Sequence, residues 1–450
     1  MTDYDAIVIG AGQPGPGVAA SLAGEGKRVA VIELEQVGGT CLNHGCKPTK
    51  ALRASAMVAH QARRAQEYGV HTGEVRVDFG AAIARVHRMV DSMRQPVIDF
   101  LEATDGLDLL YGQAKLRTRP GGQHEVDVDG ASHRAPAVYL NLGARASVPP
   151  LPGIDTVGYL TEVELLALTE LPKHLIVVGG GYIGLEFAQM FRRFGSAVTL
   201  IAGGGIAPRE DEDVSTILAD TLTEEGVTIL RAKTSSVAPH AEGVEVTLDD
   251  SSTVAGSHLL MATGRRSNLD RLGDEHGLEL DERQFVKIGS RFETSVPGVW
   301  ALGDINGHGA FTHTAYQDGQ ILQDPSRTVD GRITAYAMFT DPVLGRVGMT
   351  EREARESGRR VLKAETPMSG VSRAIIEGET TGLMRMLVDA DTEQFLGATF
   401  LGLNGDDLCQ FIGLAMQAGV PYPVVRDALP VHPTMAEYLP SLLNTLQPLE

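Results

Sequence analysis

The sequence predicts an α/β protein with two doubly wound strand–turn–helix–strand units and a C-terminal α+β domain. Three observations carry this. The apolar run Ala6-Ile7-Val8-Ile9 leads into Gly10-Ala11-Gly12-Gln13-Pro14-Gly15, a helical segment, and a second run, Arg28-Val29-Ala30-Val31-Ile32, that ends at Glu33. The layout recurs at Leu175-Ile176-Val177-Val178, Gly179-Gly180-Gly181-Tyr182-Ile183-Gly184, a helix over 186–194 and Ala197-Val198-Thr199-Leu200-Ile201. From about residue 334 no glycine fingerprint appears, and strand-like runs such as Arg385-Met386-Leu387-Val388 alternate with helices such as 406–418.

Each unit follows from local chemistry. Continuous apolar runs are what buried parallel strands need. The glycines of the first turn, Gly10, Gly12 and Gly15, permit a tight turn, a pyrophosphate close to the backbone and close helix–strand packing. The helix N-terminus behind them favours phosphate charge. Glu33 falls about twenty residues on, where an acid accepts hydrogen bonds from ribose hydroxyls. In the second turn Gly179, Gly181 and Gly184 repeat the glycines, but the strand ends at Ala202-Gly203-Gly204-Gly205 without an acid. Arg209 is the first base downstream, so NADH and NADPH both stand as expectations. Between the units, 79–101 has helical spacing. Leu107-Asp108-Leu109-Leu110-Tyr111 and His124-Glu125-Val126-Asp127-Val128 are expected as antiparallel strands. Val138 to Gly143 reads as a buried strand ending in Gly143, and Pro149-Pro150-Leu151-Pro152-Gly153 as a crossover linker. The second unit closes at Leu259-Leu260-Met261-Ala262-Thr263-Gly264. Val299-Trp300-Ala301-Leu302-Gly303-Asp304 then sets an acid after a strand; taken alone, such an acid is more often a loop starter.

Composition narrows the function. The 450 residues exceed one ordinary core, and 52 glycines fit close backbone approach to large ligands, although turns alone also use glycine. A net charge of −19 argues against nucleic acid or an anionic membrane as the main partner. No apolar run reaches the length of a membrane span, and the N-terminus enters a strand instead of a signal peptide, so a cytoplasmic location is expected. Two of the three cysteines, Cys41 and Cys46, stand in Gly38-Gly39-Thr40-Cys41-Leu42-Asn43-His44-Gly45-Cys46-Lys47-Pro48-Thr49-Lys50. A metal site and a redox dithiol both compete for them. Zinc wants four ligands, whereas only His44 lies nearby and Cys409 is far off in sequence. The redox reading needs an electron source, which nucleotide-binding units supply.

Together these residues resemble the flavoprotein disulfide reductases, the group of glutathione reductase, dihydrolipoamide dehydrogenase and mercuric reductase. The resemblance covers essentially the whole chain. It rests on Gly10 to Gly15 with Glu33, Gly39-Thr40-Cys41 through Cys46 to Lys50, Gly179 to Glu186, Gly303-Asp304, and His432-Pro433-Thr434-Met435-Ala436-Glu437. Gly345 to Thr350 and Ala202 look closest to mercuric-reductase-like and reactive-chlorine-response members. The resemblance implies two Rossmann-like domains, for FAD and NAD(P), and a C-terminal dimerisation domain. The expected boundaries are 1–150 and 271–333 for FAD, 151–270 for NAD(P), and 334–450 for the interface.

By the same resemblance, hydride passes from NADPH or NADH through FAD to a Cys41–Cys46 disulfide and on to a small-molecule acceptor. Cys46 is expected nearer the flavin and Cys41 as the exchange thiol, with Lys47 and Lys50 as nearby cations. Lys50 is expected to pair with Glu186 beside the flavin, and Tyr182 to gate the nicotinamide pocket. Gly39, Thr40, Gly143, Gly264, Gly303 and Asp304 complete the expected cofactor contacts. His432, oriented by Glu437, is the expected acid/base, reaching the dithiol of the partner in a homodimer with shared sites. A metal-ion (mercuric or cupric) or quinone reductase is the alternative on this scaffold. The sequence ends Leu446-Gln447-Pro448-Leu449-Glu450 without the C-terminal cysteine pair of mercuric reductases, and keeps a histidine they commonly lack, which weighs against mercury. Cys409, in an apolar helix, is expected to be an inert buried thiol.

Overall fold

A computed structural model describes all residues except Pro120 and Glu450. The chain folds into two compact units, and each is discontinuous in sequence. The first comprises Met1–Val148, Leu160–Leu171 and Gly264–Arg332; the second comprises Pro149–Tyr159, Pro172–Thr263 and Ile333–Glu450.

The core of the first unit is a five-stranded sheet in the order Val299–Ala301, Ala137–Leu140, Ala6–Ile9, Val29–Glu33, Leu107–Tyr111. All four pairings are parallel. Ala6–Ile9 and Val29–Glu33 are buried throughout, as strands covered on both faces must be. Tyr139 stacks on Trp300 across the outer pair, with ring centroids 4.8 Å apart. Leu107–Tyr111 corrects one expectation: it is a parallel edge strand, not an antiparallel one. Its mixed polarity arises because an edge strand is half exposed whichever way it pairs. His124–Val128 is antiparallel as expected, in a separate four-stranded sheet with Ala114–Arg117, Ala131–Ala135 and Thr2–Asp3. The expected helix over 79–101 runs Phe79–Glu102. Asp78 caps it by accepting the Ala81 amide at 2.8 Å.

The second unit repeats the parallel arrangement with His258–Met261, His174–Val178, Ala197–Ile201 and Thr228–Leu230 side by side. Its helix Tyr182–Phe194 is buried on nearly every side from Gly184 onward, Glu186, Gln189 and Arg193 included, and ends on Gly195 in the left-handed conformation. The C-terminal portion is a six-stranded antiparallel sheet, with Phe395–Leu401 and Leu383–Asp389 buried end to end beneath helix Gly405–Gln417. Buried charges tie these two portions of the unit together. Arg346 meets Glu210 at 3.1 Å, and Arg385 reaches Asp211 at 3.0 Å and also pairs with Asp213. Removing one member of such a set strands a buried charge, a cost of about 3–5 kcal/mol.

Candidate active site

The first glycine turn shows why its residues are glycines. A side chain on Gly10, whose φ is +106°, would place Cβ 2.2 Å from the Asn141 carbonyl oxygen. One on Gly15 would lie 2.4 Å from the oxygen of Gly10. Gly12 faces Gly39, where an added Cβ would sit 2.7 Å from the Gly12 Cα, so the mouth of the turn is bare backbone. Glu33, the last residue of its strand and only 9% exposed, accepts the Ala11 amide at 2.9 Å and the Glu35 amide at 3.0 Å. A bare backbone cradle closed by a fixed carboxylate fits the pyrophosphate and ribose of a dinucleotide such as FAD. Asn141, which sequence reasoning passed over, braces the cradle through a 3.0 Å bond from Nδ2 to the Gly10 carbonyl.

The chain then turns directly into the cysteines. Helix Gly39–Asn43 carries Thr40 and Cys41, and helix Cys46–Arg64 begins at Cys46, with Lys47 and Lys50 on its opening turns. Asn43 Nδ2 donates to the carbonyls of Val37 and Gly39, each at 3.0 Å, while Arg94 donates to Asn43 Oδ1 at 3.0 Å. These bonds hold the short helix, which has too few turns to stand alone. Pro48 is tolerated because the first helical turn has no intrahelical N–H bond to lose.

Cys41 is half-buried and Cys46 exposed. The Cys41 thiol is held well above the ordinary thiol range, mainly by its hydrogen bond to Cys46 and then by burial and the Cys46 charge. Thr312 and Lys47 act weakly in the opposite direction. Thr312, another residue that sequence reasoning missed, places its hydroxyl 3.3 Å from Cys46 Sγ. His44 sits beside the pair, and burial lowers its pKa.

Asp304 lies on the turn Gly303–Asn306 after the Val299–Ala301 strand, and burial raises its carboxyl pKa while Arg265 opposes the shift. The Gly303 amide donates to Asp318 at 2.8 Å. Asp318, also missed, is buried and paired with Arg332. Gly143 and Gly264 adopt φ of +65° and +129°, and each carbonyl accepts a backbone amide, from Asn268 and Ser147 respectively. Seven expected residues of the first unit thus share one end of its sheet: Gly10, Gly12, Gly15, Glu33, Gly39, Gly303 and Asp304.

In the second unit Gly179, with φ of +123°, would bring a Cβ 2.2 Å from the Ala262 oxygen, and Gly184 one 2.0 Å from the Gly179 oxygen. A Cβ on Gly181 would meet nothing within 4 Å, so this turn is open at its mouth and fits a nucleotide phosphate. Tyr182 heads the helix and is 38% exposed, so it does not pack into the core. Glu186 is buried and accepts the Phe339 amide at 2.9 Å. His432 Nδ1 lies 2.8 Å from Glu437 Oε2, with the His432 side chain 79% exposed. Cys409 is buried, and its thiol lies 3.2 Å from the Asp406 carbonyl. Among the described residues no cluster of three or more His, Cys, Asp or Glu is arranged to hold a metal ion, and no helix is long and apolar enough to cross a membrane.

Comparison with known proteins agrees across the whole length. The family model described as pyridine nucleotide-disulphide oxidoreductase matches residues 4–319, and that family's dimerisation domain matches residues 334–442. The chain is 35% identical to the probable pyridine nucleotide-disulfide oxidoreductase RclA of Escherichia coli, covering 99% of this chain and 100% of that protein. It is 33% identical to a mercuric reductase of Streptomyces lividans, over 97% of this chain and 95% of the relative. A solved structure of the Cu(II) complex of RclA, described as an HOCl-induced flavoprotein disulfide reductase, superposes with a TM-score of 0.88 at 34% identity, covering 99% of each chain. The chain belongs to the pyridine nucleotide-disulphide oxidoreductase family and is a flavoprotein oxidoreductase that uses FAD and NAD(P)H.

Proposed function

We propose that the chain reduces a small disulfide through Cys41 and Cys46, in a cytoplasmic homodimer whose sites are completed across the interface. The observation that carries this is the asymmetry of the dithiol: Cys41 is half-buried, while Cys46 is exposed at the start of a long helix with the Thr312 hydroxyl 3.3 Å from its sulfur. A flavin held at Gly10, Gly12, Gly15 and Glu33 would supply two-electron transfer between NAD(P)H and the Cys41–Cys46 disulfide. Cys46, at the first turn of a long helix and beside the Thr312 hydroxyl, is placed to hold the thiolate. Cys41 must give up its proton before it attacks, so a base is required. His432 fits that task. Glu437 accepts from Nδ1–H and leaves Nε2 to take the Cys41 proton and return it to the leaving thiolate. Cys41 Sγ then bonds to one substrate sulfur while the other departs as a thiol. Attack of the Cys46 thiolate on Cys41 releases the second substrate sulfur as a thiolate, which takes its proton from solvent, and closes the disulfide, so two electrons pass to substrate. In this reading Lys50 and Glu186 pair beside the flavin, Tyr182 covers the nicotinamide site, and Thr40, Gly143 and Gly264 line the flavin. Phe411, Leu414, Val424, Leu429 and Val431, in the family's dimerisation domain, are exposed apolar side chains that a second copy would cover, the last two close in sequence to His432.

The test is the long-wavelength thiolate-to-flavin band of the NAD(P)H-reduced protein. It is expected in the native chain and absent from Cys46→Ser; a native protein without the band would sink the dithiol mechanism. A second reading, metal-ion or quinone reduction, is favoured by the mercuric reductase relative and by the Cu(II) complex of the Escherichia coli relative. Turnover with cupric ion or quinone that survives Cys41→Ser would assign direct electron transfer to that acceptor.

A further inference from the structure

The two glycine turns share a backbone and differ at the ribose position. In the first, Glu33 ends the strand. In the second, the residue at the same spacing from the glycines is Ala202. The chain beyond follows the same path in both. The Ala207 amide donates to the Gly180 carbonyl at 2.8 Å, as the Gly38 amide donates to the Ala11 carbonyl at 2.9 Å. The acid is therefore missing from an otherwise intact frame.

Cations take its surroundings. The Ala202 amide donates to the Leu230 carbonyl at 2.8 Å, which aligns the strand end with Arg231, the residue just beyond the neighbouring strand Thr228–Leu230. A Cβ on Gly203 would fall 2.8 Å from Lys233 Cγ and 3.0 Å from its Cα. Glycine here lets the lysine stem lie against the strand end, with the lysine exposed to solvent. Arg231 and Arg209 are exposed as well. Three nearby acids already have partners. Glu210 bonds Arg346 and Tyr336, Asp211 bonds Arg385, and Asp249 Oδ1 accepts the Lys233 backbone amide at 3.1 Å. A strand end without an acid in the position of Glu33 and with exposed cations beside it suits a ribose 2′-phosphate better than a ribose diol.

We propose that this chain takes NADPH in preference to NADH, with Lys233, supported by Arg231, holding the 2′-phosphate. The proposal rests on the reading of Gly179 to Gly184 as the nicotinamide-dinucleotide turn. Titration calorimetry of the FAD-loaded protein with NADP⁺, NAD⁺, 2′,5′-ADP and 5′-ADP tests it. NADP⁺ is expected to bind at least about tenfold more tightly than NAD⁺, and 2′,5′-ADP to exceed 5′-ADP by a similar factor, because one charge-assisted contact is at stake. Lys233→Glu should abolish both differences, and Ala202→Glu should turn the preference toward NAD⁺, with bound FAD measured in each variant as the check on folding. Equal affinities, or tighter NAD⁺, in the native protein would overturn the proposal while leaving the turn as a dinucleotide site. Failure of all four ligands to bind would overturn the reading of the turn itself. A preference that survives both Lys233→Glu and the Lys233→Glu/Arg231→Glu pair would remove these residues from the role.

Discussion

The first glycine turn and the second are the same solution reached twice. Gly10 and Gly179 each press against a carbonyl of the neighbouring strand, with the same 2.2 Å limit on any added Cβ. The amides that follow each inner strand return to equivalent carbonyls. What differs is side chains. The first turn is closed by Glu33 and leads at once into Cys41 and Cys46, whereas the second is closed by Ala202 and leads into Glu210 and Asp211, which are consumed by Arg346 and Arg385. The comparison teaches that backbone contacts make the cradle, and a few side chains decide what it serves.

The largest effects should come from breaking one turn at a time. Gly10→Ala drives a Cβ into backbone at a positive φ and is expected to give protein without bound FAD, read from the flavin spectrum. Gly179→Ala imposes the same clash in the other unit. It is expected to keep FAD while losing NADP⁺ and NAD⁺ binding. FAD loss from both variants would show that the turns are not independent. Next in size is Glu33→Ala, which makes the first turn resemble the second. Loss of hydrogen bonds to a charged acceptor, about 1.5–3 kcal/mol each, should weaken FAD retention about tenfold or more in a dilution assay.

A third prediction concerns what hangs on the first turn alone. Because Cys46 raises the Cys41 thiol, Cys46→Ser should move the Cys41 titration downward toward the ordinary thiol range. Thiolate absorbance followed against pH measures this, and an unchanged or higher midpoint would mean that burial, not Cys46, sets the proton affinity. The smallest expected effect is that of Asn141→Ala, which removes the brace to Gly10, where the second turn has Ala262. A loss of about 1 kcal/mol of stability is expected from denaturant unfolding of the FAD-loaded protein.

Local signals were legible because each is complete within a short stretch of chain. A buried strand, a glycine turn, a helix and an acid lie within about thirty residues, so Gly10 to Glu33 announces its own geometry. Cys41 and Cys46, and His432 with Glu437, are likewise near neighbours along the sequence. Two of the missed residues act across long separations. Thr312 reaches Cys46 and Asn141 reaches Gly10 only after the sheet has brought distant segments to one end, whereas Asp318 is near Gly303 in sequence and carries no motif of its own. The direction of Leu107–Tyr111 was hidden for a related reason, since its half-exposed pattern suits an edge strand of either kind.

The sequence by itself determined that this protein carries two nucleotide turns, a closely spaced dithiol and a histidine–glutamate pair. Strand periodicity, glycine placement and short spacings are properties of the chain. Only the tertiary structure decided that Cys41 is the more buried cysteine, that the Thr312 hydroxyl meets Cys46 and that exposed Lys233 lies against the strand end beside Ala202. Those are questions of burial, dielectric and contact between residues far apart in sequence, and they are answered only when the sheets have assembled.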